Sequence, residues 1–358
     1  MTQLTRRTFI KLAATTTAAL AAGCAPNAAT STADSSNAGP TAGPATPATR
    51  PPVVASPSLD PAPAEIVITD NNDLYVQSYS SIPSVDAATW KFEIDGLVAR
   101  PLSFTLDDIK ALPAVEMMRT LECIGNPLGG PLIGNVVWKG AYLKPLFDQA
   151  AIQPSAIRAK FEAGDGYATS IDLKYINVEG AFLAYEMNGE ALTKEHGFPL
   201  RVLYPGSYGQ KMPKWIERIE LIDYEFEGYW EARGWSDVAQ IQTNSIIKQP
   251  AGLSTFGLEL IPIWGVALAA SKAITKVEAK IGDGDWTEAA LIHGPSNEVW
   301  TQWSLDWSPP GPGQYKVQVR ATDADGFTQS TTSNSLLGGA FPRGTDAIHQ
   351  IVVKIKNG

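Results

Sequence analysis

The sequence predicts an α+β domain over residues 65–249 followed by an all-β sandwich of immunoglobulin type over 250–358. Three observations predict it. With 44% hydrophobic and 18% charged residues the chain has the composition of a globular protein. Beyond residue 250 apolar and polar side chains alternate with a period of two, the pattern of half-buried strands. Before that point strand-like and helix-like stretches are mixed and separated by many short turns.

The chain opens with an arginine pair, Arg6 and Arg7, ahead of an apolar run from about Leu12 to Ala22. That run is too short and too rich in small residues to span a bilayer, so residues 1–23 read as an export signal. Thr5-Arg6-Arg7-Thr8-Phe9-Ile10-Lys11 resembles the twin-arginine signal, whose route carries folded proteins. Leu20-Ala21-Ala22-Gly23-Cys24 resembles a bacterial lipobox, which would make Cys24 the lipidated first residue of the mature chain. The expected location is the periplasmic or cell-surface side of a membrane, with a lipid anchor at Cys24. Residues 24–64 are mostly Ala, Pro, Thr, Ser and Gly. Such a stretch buries too little apolar surface to offset its ordering entropy and reads as a disordered tether.

In the 65–249 segment WKFEIDG and VLYPG read as strands, and LSFTLDDIKAL and YLKPLFDQA as short amphipathic helices. Ser103 and Thr105 stand where a side chain caps the first helix. In the 250–358 segment Val277, Ala279 and Ile281 alternate with Lys276, Glu278 and Lys280, and Val317, Val319 and Ala321 with Lys316, Gln318 and Arg320. Gly282-Asp283-Gly284-Asp285 and Asp323-Ala324-Asp325-Gly326 supply turns. Trp286, Trp300, Trp303 and Trp307 either fill the sandwich core or form a face for a partner, and core filling is favoured.

A formal charge of −9 and a pI near 5.0 argue against nucleic acid as a partner. The chain has two cysteines, Cys24 and Cys123, so lipidation of Cys24 leaves Cys123 without a disulfide partner. There is no C-x-x-C-H haem motif, and the three histidines at 196, 293 and 349 are too scattered to suggest zinc. Three stretches are dense in Gly, Pro and polar residues: NNDLYVQSY (71–79), ECIGNPLGG (122–130) and EHGFPLRVLYPGSYGQKMPKW (195–215). Arg201, Lys211 and Lys214 are suited to an anion such as phosphate, and His196 adds a hydrogen-bonding group. Singly, each has a plain structural explanation: a free cysteine serves as a small buried hydrophobe, and exposed Arg and Lys are solvated.

Together, and in this order, NDLYVQSYSSIP, WKFEIDG, TLECIGN, LAYEMNGEAL and HGFPLRVLYPGSYGQKMPKW resemble the sulfite oxidase family of molybdopterin-dependent oxidoreductases. The resemblance implies a sulfite-oxidase-type molybdopterin domain followed by the sandwich. It makes Cys123 the protein's thiolate ligand to molybdenum, consistent with a soft ligand whose proton the metal displaces. His196 and Arg201 fall on residues that bind the pterin and its phosphate. Met212, Pro213 and Lys214, with Lys211 beside them, fall where backbone and a basic side chain grip the phosphate end. Asn72 and Tyr75 fall on cofactor contacts, and Tyr229 on an active-site tyrosine of sulfite-oxidising members. Insertion of such a cofactor in the cytoplasm accounts for an export route that accepts folded protein.

The departures from the family pattern concern the substrate. Gln77 stands where sulfite-oxidising members carry an arginine, and Asn126 is followed by Pro127 and Leu128 rather than two arginines. The expected activity is therefore oxygen-atom transfer on a small substrate, a sulfoxide or a sulfur oxyanion, with sulfite oxidation proper as one alternative. Electrons would pass to or from a separate protein, a cytochrome or a quinone-linked membrane protein. The resemblance also admits a homodimer through the C-terminal domain. A cofactor-free, surface-anchored binding lipoprotein is the alternative from a different class.

Overall fold

The computed structural model describes residues 60–175, 179–330 and 339–357. The export signal at 1–23, Cys24 and all but the end of the tether lie outside the described residues. The end of the tether is engaged: Gln302 Nε2 donates to the Pro63 carbonyl at 2.8 Å and Gln249 Nε2 to that of Asp60 at 2.7 Å.

Ten strands come first in the chain. They are β1 (Phe92–Gly96), β2 (Leu102–Phe104), β3 (Val115–Glu122), β4 (Ile133–Tyr142), β5 (Arg158–Ala163), β6 (Ala168–Asp172), β7 (Phe182–Met187), β8 (Glu190–Ala191), β9 (Arg201–Leu203) and β10 (Ile216–Ile222). Helices α1 (Leu106–Lys110) and α2 (Lys144–Ala150) interrupt them. One sheet has the order β2-β1-β10-β5-β6, with β1 and β10 parallel. Another has the order β3-β4-β7-β8, with β9 also on β7. One core fills the region between them, including Phe92 and Ile94 of β1, Trp138 of β4, Phe161 of β5 and Phe182 of β7.

Helix is scarcer than an α+β reading implies. Within LSFTLDDIKAL the first three residues form β2, and α1 holds only five residues. Thr105 is its N-cap: its hydroxyl accepts from the Asp108 amide while the Asp108 carboxylate accepts from the Thr105 amide. The next helix, α2, ends after seven residues because Ala151 turns left-handed at φ 53°.

The strands that follow are β11 (Asn244–Gln249), β12 (Thr255–Phe256), β13 (Ile261–Leu268), β14 (Ile274–Ile281), β15 (Thr287–Glu288), β16 (Ala290–Ile292), β17 (Thr301–Trp307), β18 (Gly313–Asp323) and β19 (His349–Ile355). They form two sheets, β11-β13-β17-β16 and β12-β19-β18-β14-β15. A core drawn from both sheets lies between them, with Ile263, Val277, Trp303, Val319 and Val353 at its centre. Of the four tryptophans, Trp300 and Trp303 are buried, Trp307 packs partly buried at the core edge, and Trp286 is half-buried beneath the Arg320 guanidinium.

Backbone and side-chain bonds tie these sheets to β3. The Thr120 amide donates to the Glu298 carbonyl at 2.9 Å, and the Trp300 amide donates to the Thr120 hydroxyl at 2.9 Å. Farther along β3, Asn244 Nδ2 donates to Glu122 Oε2 at 3.1 Å. The strand that ends next to Cys123 is thus held from the sandwich side as well as within its own sheet.

Candidate active site

Cys123 follows the last residue of β3, where the chain leaves the sheet and returns as β4. Its backbone closes the intervening loop at both ends. The amide donates to the Leu132 carbonyl at 3.0 Å, and the carbonyl accepts from the Asn126 amide at 2.9 Å. Asn126 is buried and spans the loop: Oδ1 accepts from the Leu132 amide at 2.9 Å and Nδ2 donates to Glu122 Oε1 at 3.0 Å. Burial pushes the Glu122 carboxyl up to about 7, against the pull of the Asn126 and Asn244 amides. The far side of the loop carries Gly129 at φ 71°, where an added Cβ would lie 2.0 Å from His349 Nε2. Only glycine fits there, because the imidazole from β19 occupies the space of a side chain.

The Cys123 side chain lines a cavity of about 230 Å³. Burial, chiefly, holds its thiol above the ordinary range, although a hydrogen bond with the Gly125 backbone favours the thiolate. Two clusters share this cavity. The first is cationic and comes from β9 and the segments on either side of it. Arg201 is buried on β9, its guanidinium 5.0 Å from the centre of the Trp138 ring and donating from Nη1 to the His196 carbonyl at 3.2 Å. Its Nε is buried without a hydrogen-bond partner. Burial lowers Arg201 to about 10. Lys214, half-buried, donates to the Glu195 carbonyl at 2.7 Å, and burial with the neighbouring Arg201 lowers it to about 7. His196 falls to about 4 for the same two reasons. Its Nε2 lies 3.1 Å from the Asn71 carbonyl oxygen, which can only accept, so Nε2 carries the proton and Nδ1 of the neutral ring is an acceptor.

The second cluster is aromatic. Tyr79, Tyr167, Trp230 and Trp235 line the cavity, and Tyr79 is 42% exposed at its mouth. Trp235 reaches the cysteine loop: a Cβ placed on Gly125 would lie 3.7 Å from the Trp235 ring and 3.8 Å from Cys123 Sγ. The Trp235 ring also meets Phe341 edge-on at 5.2 Å. Gln77 lines the cavity as well.

Of the residues selected from the sequence, Tyr75, Cys123, His196, Arg201, Met212, Pro213 and Lys214 line this one cavity. Three others do not. Asn72 is exposed, because the turn that returns the Asp73 and Leu74 amides to the Asp70 carbonyl carries it outward. The same turn brings in Asn71, which meets His196 and accepts from Asn188 Nδ2 at 2.9 Å. Lys211 points away from the cavity between two lining neighbours and is fully buried. It donates to Glu231 Oε1 at 2.5 Å, the Ser170 carbonyl at 2.8 Å and the Thr169 hydroxyl at 3.1 Å, so it has no free valence for a cofactor phosphate. Tyr229 lies behind the lining, with the Arg233 guanidinium 3.4 Å from its ring centre and Tyr79 at 4.7 Å. Its neighbours Trp230 and Trp235 take the wall positions. The density of aromatic residues in GYWEARGW was the signal for them, but it does not say which ring turns inward.

Residues 79–230 match the family described as the oxidoreductase molybdopterin binding domain. The oxidoreductase YuiH of Bacillus subtilis is 33% identical over 150 residues, covering 42% of this chain and 74% of that protein. The chain belongs to the sulfite oxidase family of molybdopterin-dependent oxidoreductases. Mitochondrial sulfite oxidase of Drosophila melanogaster is 33% identical over 214 residues, 52% of this chain and 37% of that one. Nitrate reductase [NADH] 1 of Oryza sativa is 27% identical over 325 residues, 71% of this chain and 35% of that one. The chain thus spans about a third of the length of these two relatives. Among solved structures, the sulfane dehydrogenase SoxCD of Paracoccus pantotrophus superposes with a TM-score of 0.70 at 22% identity, over 82% of this chain and 85% of that one. That likeness is one of fold.

The protein is therefore an oxidoreductase whose cofactor is molybdenum-molybdopterin. Its cavity has the chemistry to hold that group. The buried Arg201 Nε lacks an acceptor, and the Lys214 ammonium is desolvated, with Asp165 and Glu195 offsetting its burial only in part; a pterin phosphate would supply an anionic acceptor to both. Cys123 provides the soft thiol, and among the described residues there is no His/Cys/Asp/Glu cluster able to hold a metal without the pterin's own sulfurs.

Proposed function

We propose that the protein catalyses oxygen-atom transfer on a small, weakly charged substrate such as a sulfoxide. In this reading it works on the outer side of the membrane, is anchored through Cys24, and exchanges electrons with a separate cytochrome or quinone-linked protein. The observation that carries the reading is the composition of the cavity. Its cations, Arg201 and Lys214, cluster with the neutral His196 at a place suited to the cofactor's anionic end, while the rest of the lining presents Gln77, four aromatic rings and the single carboxylate of Asp165. When bound, molybdenum-molybdopterin would supply the two-electron redox and oxygen-transfer chemistry. The residues of the chain do the rest. Cys123 gives its thiolate to the metal, whose positive charge overcomes the burial that otherwise keeps the thiol protonated. Arg201 and Lys214 neutralise phosphate, and the neutral His196 offers Nδ1 as an acceptor. Tyr79, Trp230 and Trp235 exclude water around the substrate, and Gln77 provides a neutral amide where the sulfite-oxidising relatives are expected to hold a guanidinium.

The C-terminal sheets support an immunoglobulin-type sandwich, which we also propose as the surface available for pairing with a second copy. The functional reading is tested by steady-state turnover of the natively exported protein with methionine sulfoxide and with sulfite, using dye mediators. Faster turnover of the sulfoxide is expected. Efficient sulfite oxidation with no sulfoxide reduction would contradict it.

A further inference from the structure

Behind the cavity wall lies a buried ionic network that cofactor binding does not use. Lys211 and Glu231 are its centre, with side chains 1% and 2% exposed and a 2.5 Å contact between them. Lys211 Nζ also reaches Asp237 Oδ1 at 3.4 Å, and the Asp237 side chain is 45% exposed. Glu231 Oε1 accepts from the Thr169 hydroxyl at 2.7 Å and from Gln210 Nε2 at 2.9 Å. Gln210 lines the cavity, as does Tyr167, whose hydroxyl donates to the Gln210 carbonyl at 2.7 Å. A continuous file of polar atoms therefore runs from an exposed carboxylate to the cavity.

Two features fit transport better than a static tie. Burying an ion pair is a poor source of stability, since desolvation offsets most of the attraction. In addition, Glu231 Oε2 and Gln210 Oε1 are both buried without a hydrogen-bond partner. Unsatisfied buried acceptors call for water, and Gln210, which carries one of them, itself lines the cavity.

We propose that Asp237, Lys211 and Glu231 form a proton relay between solvent and the active-site cavity. The inference rests on the oxygen-transfer reading, whose balance demands it. Reduction of a sulfoxide breaks one sulfur–oxygen bond and consumes two protons and two electrons, leaving one sulfide and one water. The electrons come from the redox-partner protein, and the reverse direction releases the same two protons. Trp230 and Trp235 in the cavity wall carry no group that relays a proton, so protons need a route of their own whether or not a substrate is bound. Lys211 passes a proton to Glu231 Oε1 and recovers one from Asp237, while Glu231 delivers its proton through water to the cavity. The groups facing the relay are Thr169 and Ser170 from β6, Gln210 and Tyr167 on the cavity side, and Arg158 from β5. Arg158 clamps Asp237 at 2.7 Å and is itself paired with Glu225 at 2.6 Å.

The test is stopped-flow reduction of the natively loaded protein by reduced methyl viologen, in light and heavy water between pH 6 and 8, with molybdenum and pterin content measured in parallel. Glu231→Gln and Asp237→Asn at full cofactor content should slow reduction roughly tenfold or more. They should also raise the solvent isotope effect and be rescued by formate buffer, and Asp237→Glu should retain the wild-type rate. Wild-type rates and isotope effects in both variants would overturn the proposal, as would a slowing that neither formate nor Asp237→Glu reverses. If Glu231→Gln fails to load the cofactor, Asp237→Asn on its half-exposed side chain decides by the same outcomes. The assay uses no substrate, so failure of the wild type on sulfoxide and sulfite would overturn the functional reading alone.

Discussion

Gln77 lines the cavity beside Tyr79, on a stretch that is otherwise exposed, so a longer side chain fits there without repacking the core. Gln77→Arg would restore a guanidinium on the substrate side. A charge-assisted hydrogen bond contributes about 1.5–3 kcal/mol, so the KM for sulfite should fall roughly 10- to 100-fold while turnover of a neutral sulfoxide gains nothing. Steady-state kinetics with both substrates check this, and an unchanged sulfite KM would remove Gln77 from the account of specificity. Cys123, Arg201 and Lys214 were singled out as a group because they fall in glycine-rich, proline-rich stretches whose order resembles the family, although each alone has a plain structural explanation. Lys211 shows where that reasoning stops. Its neighbours Gln210 and Met212 line the cavity, yet its own side chain turns the other way to Glu231. Residue type reveals what a group can do, and side-chain direction decides for whom.

The element that matters most is the turn between β3 and β4. Its sequence announces a loop through Gly125, Pro127, Gly129 and Gly130, but the partner that sets its shape, His349, is 220 residues away and invisible to local patterning. Gly129→Ala would combine a left-handed backbone penalty with a direct clash on the imidazole. Thermal denaturation should show a loss of about 1–3 kcal/mol or more. Gly326→Ala, at φ 85° with nothing within 4 Å, should cost only the backbone part, about 1–2 kcal/mol. Equal losses in the two variants would mean that His349 does not brace the cysteine loop. The short helices were harder to delimit than the strands: a capping box fixes where α1 starts, and it ends at the Ala111 cap, two residues before Pro113, after only five residues.

On the scale of the whole molecule, His349 also links folding to pH. Its Nδ1 accepts from the Ile247 amide at 3.0 Å, and burial, reinforced by Lys248, lowers its pKa to about 4. Between pH 6.5 and about 4 the unfolded chain binds a proton that the native protein refuses, so stability falls as the pH falls through this window. The full contribution, on the order of 2–3 kcal/mol, is present above about pH 6.5. His349→Asn keeps an acceptor for Ile247 and removes the titration. Denaturant unfolding of this variant between about pH 4 and 6.5 should show a shallower loss than the wild type, and parallel curves would contradict the assignment. The order of strand-rich segments was readable from period-two alternation, whereas the bonds from Thr120 and Glu122 to Trp300 and Asn244 join distant segments and leave no local trace.

The central claim is that Cys123, Arg201, Lys214 and His196 together hold molybdenum-molybdopterin. Metal and pterin analysis of the natively exported protein, from a host that makes the cofactor, tests it most directly. The account predicts one molybdenum and one pterin per chain in the wild type and loss of molybdenum coordination by sulfur from the protein in Cys123→Ser, read by X-ray absorption at the metal. A wild-type protein that emerges folded with neither molybdenum nor pterin would contradict it.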